Sequence, residues 1–239
     1  MEVSGDRVYA EVAEGTDKDT LGPAVLFSTD ISNDSWQAVE GVTTGPTGYP
    51  GEISTAGGSV WAMVHPGVVT PEEITAYSLL FNNSDGVTWH KSTLPCPSNT
   101  GASVAAASVS RVFIVCSGGV AAGSQNKTAY LSTDGGDSYR RIGDPPFAGD
   151  FDGVAASSLA LVVGAASGAT YIYTSFNEGR SWETTNLPQS GGLPLSDLGF
   201  TTATQGAVIF GVPEYPQWLQ LLMTRDGGHN WETVHVSPS

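Results

Sequence analysis

A chain of 239 residues with 24 acidic and nine basic side chains carries a formal charge of -15, which repels a nucleic-acid backbone or an anionic membrane surface. Thirty glycines, 14 prolines, 14% charged and 40% hydrophobic residues suit a turn-rich β protein with a sizeable core better than a helical one. No apolar run of about 18 residues exists, so no helical membrane span is predicted.

The chain opens on Met1 and EVSGDRV, without the basic start and apolar stretch of a secretion signal. The expectation is a mature or trimmed chain from the extracellular space or cell envelope, with an intracellular chain as the alternative. The first predicted strand is RVYAEV. Beyond it the acidic loop EGTDKDT, with Glu14, Asp17 and Asp19, lacks a recognisable calcium-loop pattern and reads as a solvated turn. AVLF follows, then STDISNDSW ending at Trp36, and the polar run WQAV.

From there a unit repeats. GEISTA, SVWAMVH and YSLLF lead into NNSDGVTW, ending at Trp89, and WHKST. ASVAAAS, RVFIVCS and TAYL lead into STDGGDSY, ending at Tyr139, and YRRI. GVAASS, LALVVG and TYIYT lead into SFNEGRSW, ending at Trp182, and WETT. LSDLGF, GAVIFG and LQLLMT lead into TRDGGHNW, ending at Trp231, and WETV. Each octapeptide sits between an apolar run and a polar one, as the connection of a β-hairpin does, with glycine supplying positive φ. Recurrence about every 40 to 50 residues is the period of propeller blades. The predicted fold is all-β: a β-propeller of about five four-stranded blades in one domain, with units near 1–41, 42–93, 94–142, 143–185 and 186–239. The first unit starts at its second strand, so its blade is expected to be incomplete.

These octapeptides resemble the Asp-box, or bacterial neuraminidase repeat, Ser/Thr-x-Asp-x-Gly-x-Thr/Ser-Trp. Ser132, Asp134, Gly136 and Ser138 match it, with Tyr139 for the tryptophan; Thr224, Asp226, Gly228 and Trp231 match it, with Asn230 for the hydroxyl residue. Asn177 stands for the aspartate in the copy with Gly179 and Trp182, Ser84 stands for it in the copy ending at Trp89, and the copy ending at Trp36 has an extra residue and no glycine. The resemblance implies a structural role for these residues. An Asx side chain accepting from its own turn supplies the same reason physically, and the terminal aromatic is expected to pack under the hairpin.

Asp-box propellers include sialidases, glucanases, receptors and assembly factors, so the fold does not select a function. The resemblance to sialidases requires three arginines on a carboxylate, a tyrosine and glutamate pair, and an acid/base aspartate. Of the six arginines, Arg140, Arg141, Arg180 and Arg225 lie in or beside the octapeptides; Arg7 and Arg111 cannot make a triad, and no Phe/Tyr-Arg-Ile-Pro stretch opens the chain. Sialidase activity is not expected.

Long loops opposite the octapeptide turns are the expected binding face. There, GVPEYPQWLQ supplies Glu214, Tyr215 and Trp218, and GDPPFAGDFDG supplies Phe147, Asp150 and Asp152. Aromatic faces stack on sugars and carboxylates accept from hydroxyls; the competing reading is that these aromatics only pin loops. A glycosidase acid pair would come from Asp150, Asp152, Asp197 or Glu214. His65, His90, His229 and His235 show no metal-ligand spacing, and no cofactor motif appears. Cys96 and Cys116 are either a disulfide closing a short loop in an oxidising compartment or two buried thiols. Asn33, Asn82 and Asn126 match the glycosylation sequon. The function expected is a non-catalytic module binding a glycan or protein partner, with a glycoside hydrolase and an assembly scaffold as alternatives.

Overall fold

The computed structural model describes residues 1–17, 20–33, 35–43, 48–65, 78–85, 88–98, 100–187, 192–211 and 219–234; the side chains of 14–22, 49, 50 and 186 also lie outside the description. Every regular element within it is a strand. The first blade holds β1 (Glu2–Ser4), β2 (Arg7–Asp17), β3 (Thr20–Asp30) and β4 (Gln37–Thr43); the second holds β5 (Tyr49–Ala56), β6 (Ser59–His65), β7 (Leu79–Asn83) and β8 (His90–Ser92). The third holds β9 (Gly101–Ala106), β10 (Val112–Val120), β11 (Gln125–Ser132) and β12 (Arg140–Arg141). The fourth holds β13 (Asp150–Ala156), β14 (Leu161–Ala166), β15 (Thr170–Ser175) and β16 (Glu183–Leu187); the fifth holds β17 (Leu195–Phe200), β18 (Gly206–Phe210), β19 (Gln220–Thr224) and β20 (Glu232–Val234). In all five sheets the strands lie side by side in sequence order. This is the four-stranded antiparallel meander of a five-bladed β-propeller.

The expectation of an incomplete first blade is corrected. Glu2, Val3 and Ser4 pair with Tyr9, Val8 and Arg7, because Gly5, at φ 59°, turns the chain back after only three residues. A strand that short has no alternation to read.

Contacts divide the chain into two compact units, residues 1–116 with 132–140, and residues 117–131 with 141–239. The first has a core of Tyr9, Leu26, Val42, Val60, Val64 and Phe81, against which Trp89 packs. The second is built on Val162, Ile172, Val208, Phe210 and Leu222, with Trp231 against them. β6 and β14 are buried at nearly every position. Sheets covered on both faces require that, which is why SVWAMV and LVVGAA read as continuous apolar runs rather than alternating ones.

Cys96 and Cys116 are joined as a disulfide, with a Cα–Cα distance of 5.6 Å, which decides between the two readings of the pair. It ties the segment entering the third blade to β10.

The first strands of three blades carry bulges, between Pro50 and Ile53, between Phe151 and Gly153, and between Leu195 and Asp197. A bulge re-aims the residues it contains. At Gly51 the backbone leaves no room for a side chain, since a β-carbon would run into the Met63 carbonyl oxygen.

Candidate functional site

The octapeptide turns are hydrogen-bonded around their first and third side chains. Ser132 Oγ donates to Asp134 Oδ1 (2.7 Å) and accepts from the N–H groups of Asp134 (3.2 Å) and Gly136 (2.8 Å). Asp134 then accepts from the N–H and hydroxyl of Ser138 at 3.0 and 2.5 Å. Those bonds hold its carboxyl far below the usual carboxylate range. Ser175, Asn177, Gly179 and Ser181 repeat the pattern, as do Thr224, Asp226, Gly228 and Asn230. Hydrogen bonds from Asn230 lower Asp226 to about 2.

Two copies depart from the reading. Ser84 was expected in the acceptor role, but Asp85 Oδ1 takes the Thr88 N–H at 2.7 Å, because a carboxylate one residue on outcompetes a hydroxyl. In the longer first copy Thr29 Oγ1 takes the Ser35 N–H at 3.1 Å. Its Trp36 remains 39% exposed, whereas Trp89, Trp182 and Trp231 are half-buried.

Among the expected binding residues, Phe147 is 49% exposed and lies on a segment fixed by Lys127, which no motif singles out. Lys127, 3% exposed, donates from Nζ to the carbonyl oxygens of Gln125, Phe147, Ala148 and Gly149 at 2.8 to 3.3 Å. Burial lowers it to about 8 against the pull of Asp150 and Asp152. Gln125 Oε1 accepts from the Phe151 N–H at 2.8 Å. Asp152 accepts from the Leu195 N–H at 3.1 Å, and burial pushes it up to about 6. Asp150 leaves Oδ1 buried and unpartnered. Asp197 is exposed and bonds the next N–H. Glu214, Tyr215 and Trp218 lie outside the described residues.

The first unit contains two further acids that sequence reading passed over. Glu11 on β2 accepts from the Gly51 N–H, and Glu52 on β5 accepts from the Ser103 hydroxyl, both at 2.7 Å. Burial pushes each up to about 7, and Glu11 Oε1 and Glu52 Oε2 are buried without a partner. Alternation on RVYAEV and GEISTA does not reveal them, because the β5 bulge decides where Glu52 points.

The same unit has two adjoining hollows of about 440 and 420 Å³ that share Lys91, Ser92 and Thr93. The first is also lined by Asn82, His90, Asp134 and Asp137. The second is also lined by Ser78, Ser98, Thr100 and Cys96. Together they form a groove of mixed polarity along the short edge strand β8. Its walls mix hydroxyl, amide and charged groups with apolar side chains, Val109 and the 1%-exposed Trp61 in the first hollow and Leu79, Leu94 and Pro97 in the second.

No family model matches the chain, and no curated protein matches it. Several solved structures do. A Trypanosoma rangeli sialidase in complex with the inhibitor DANA aligns over 98% of this chain and 48% of its own, at TM-score 0.64 and 12% identity. The six-bladed fungal lectin of Aleuria aurantia aligns over 97% and 73%, at TM-score 0.60 and 16% identity. YCF48 bound to a D1 peptide aligns over 96% and 84%, at TM-score 0.53 and 15% identity. Likeness at this identity establishes the fold, a sialidase-like β-propeller, and leaves function to the site.

Proposed function

We propose that this chain is a non-catalytic binding propeller of the extracellular space or cell envelope, that its octapeptide turns are Asp-boxes, and that it takes a hydroxyl-rich glycan along the β8 groove. One observation carries the reading: the paired hollows around Lys91, Ser92 and Thr93 present hydroxyl, amide and charged groups at close intervals beside a few apolar side chains, a mixture that suits a sugar's hydroxyls and its apolar ring face. The Aleuria aurantia lectin, which recognises fucose, is compatible with it. The Cys96–Cys116 disulfide supports an oxidising compartment.

A glycoside hydrolase would need two acids facing each other across an open groove. The acids raised by burial, Glu11, Glu52 and Asp152, each accept from an adjoining blade, and none lines either hollow, which favours binding over cleavage.

The test is a glycan array probed with the chain, with Lys91→Ala/Asp137→Ala, and with Tyr215→Ala/Trp218→Ala. Binding lost in the first double variant alone supports the groove. Binding lost only in the second keeps the glycan reading and overturns the groove as its site. Silence from all three overturns the glycan reading in favour of protein docking.

A further inference from the structure

We propose that Glu11 and Glu52 in the first unit, and Asp152 in the second, are carboxyl tethers between adjoining blades, which makes the attachment of those blades a pH-sensitive device. The geometry is repeated. Glu11 of the first blade holds the Gly51 N–H of the second; Glu52 of the second holds the Ser103 hydroxyl of the third; Asp152 of the fourth holds the Leu195 N–H of the fifth. Glu52 and Asp152 lie inside the bulges of β5 and β13, and Gly51, the group that Glu11 holds, lies in the β5 bulge as well. A bulge frees a first-strand side chain from its own ladder and turns it toward the neighbour.

Each tether spends one oxygen on the neighbour. In Glu11 and Glu52 the other oxygen, Oε1 and Oε2 respectively, is sealed from water with nothing bonded to it. A carboxylate in that setting is costly, whereas the neutral carboxyl keeps the tethering acceptor and sheds the buried charge. The charged groups facing Glu11 are Glu52 and the amino terminus; His65 lies beside Gly51, its Nε2 3.1 Å from where a β-carbon there would sit. His65 is itself engaged by the Ser78 hydroxyl at 3.0 Å. The groups facing Asp152 are Asp150 and Lys127. Two acids thus face each other in the first unit beside the cationic amino terminus, and Lys127 offsets the acids in the second.

Burial raises these carboxyls in the folded chain from ordinary values of 4.5 for Glu and 3.8 for Asp to about 7 and about 6. The folded state therefore holds protons that the unfolded state releases. No penalty exists below the unfolded values. It grows as pH rises and is complete above about 7 for the glutamates and about 6 for the aspartate. The tethers contribute most below the unfolded values, weaken as pH rises, and contribute least above about pH 7.

The experiment is urea unfolding from pH 4.5 to 8.5 on the wild type, Glu11→Gln, Glu52→Gln, Asp152→Asn and, as a charge control, Glu40→Gln. The wild-type midpoint is expected to fall as pH rises. The three tether variants should flatten that fall and the control should not. A tether variant with the full wild-type slope overturns the proposal. Carboxyl ¹³C NMR titration of the wild type decides the matter even if a variant does not fold. Midpoints near 7 for Glu11 and Glu52 support the tethers, and midpoints near 4.5 overturn them.

Discussion

Trp61 Nε1–H donates to the carbonyl oxygen of Gly135 at 3.0 Å, so a β6 side chain of the second blade is fastened to the octapeptide turn of the third. The indole is 1% exposed and joins burial of a large apolar surface to one directed bond. Trp61→Phe keeps most of the surface and removes the donor, leaving a carbonyl unpaired. The expected loss is about 1 to 2 kcal/mol, read as a lower urea midpoint with an unchanged slope.

Ser132 is buried, and its hydroxyl serves the Gly136 N–H, the Asp134 N–H and the Asp134 carboxylate together. Ser132→Ala leaves the buried Gly136 N–H without its acceptor and is expected to cost about 1 to 3 kcal/mol. Ser138 sits at the exposed end of the same turn, so Ser138→Ala should cost clearly less. Equal losses in denaturant titrations would show that the hydroxyl does not organise the turn.

Glu178 adopts φ 58° at the place where the copies ending at Tyr139 and Trp231 have Gly135 and Gly227, at φ 80° and 79°. A side chain in that region carries strain of about 1 kcal/mol. Glu178→Gly is therefore expected to raise the thermal midpoint modestly; a lower midpoint would mean that the glutamate's own interactions outweigh the strain.

The Cys96–Cys116 bond closes a loop with a sequence separation of 20. On the chain-entropy account, reduction should cost about 3 kcal/mol. Unfolding with and without reductant measures it, with Cys96→Ser/Cys116→Ser as the covalent-free reference.

The repeat, the hairpin turns and their glycines, and the apolar second strands were legible because each depends on neighbours in sequence: a positive φ calls for glycine, and a strand covered on both faces calls for an unbroken apolar run. That reasoning reached five blades, and it identified Asp134, Asn177 and Asp226 as turn acceptors. It failed where a choice was made across a short distance in space. A three-residue β1 carries no pattern, and Asp85 displaced Ser84 by one position.

The architecture is written in local order along the chain, since five copies of one turn-and-strand device leave little else for it to build. The chemistry is set by packing between segments distant in the chain. Bulges, invisible to alternation, turn Glu52 and Asp152 toward the next blade, and packing buries Lys127 in a ring of carbonyl oxygens. The β8 groove is assembled from segments more than 50 residues apart in sequence, such as Ser59 and Asp137. A side chain's charge is written in its identity, but the protonation state that it holds depends on which neighbours exclude water from it.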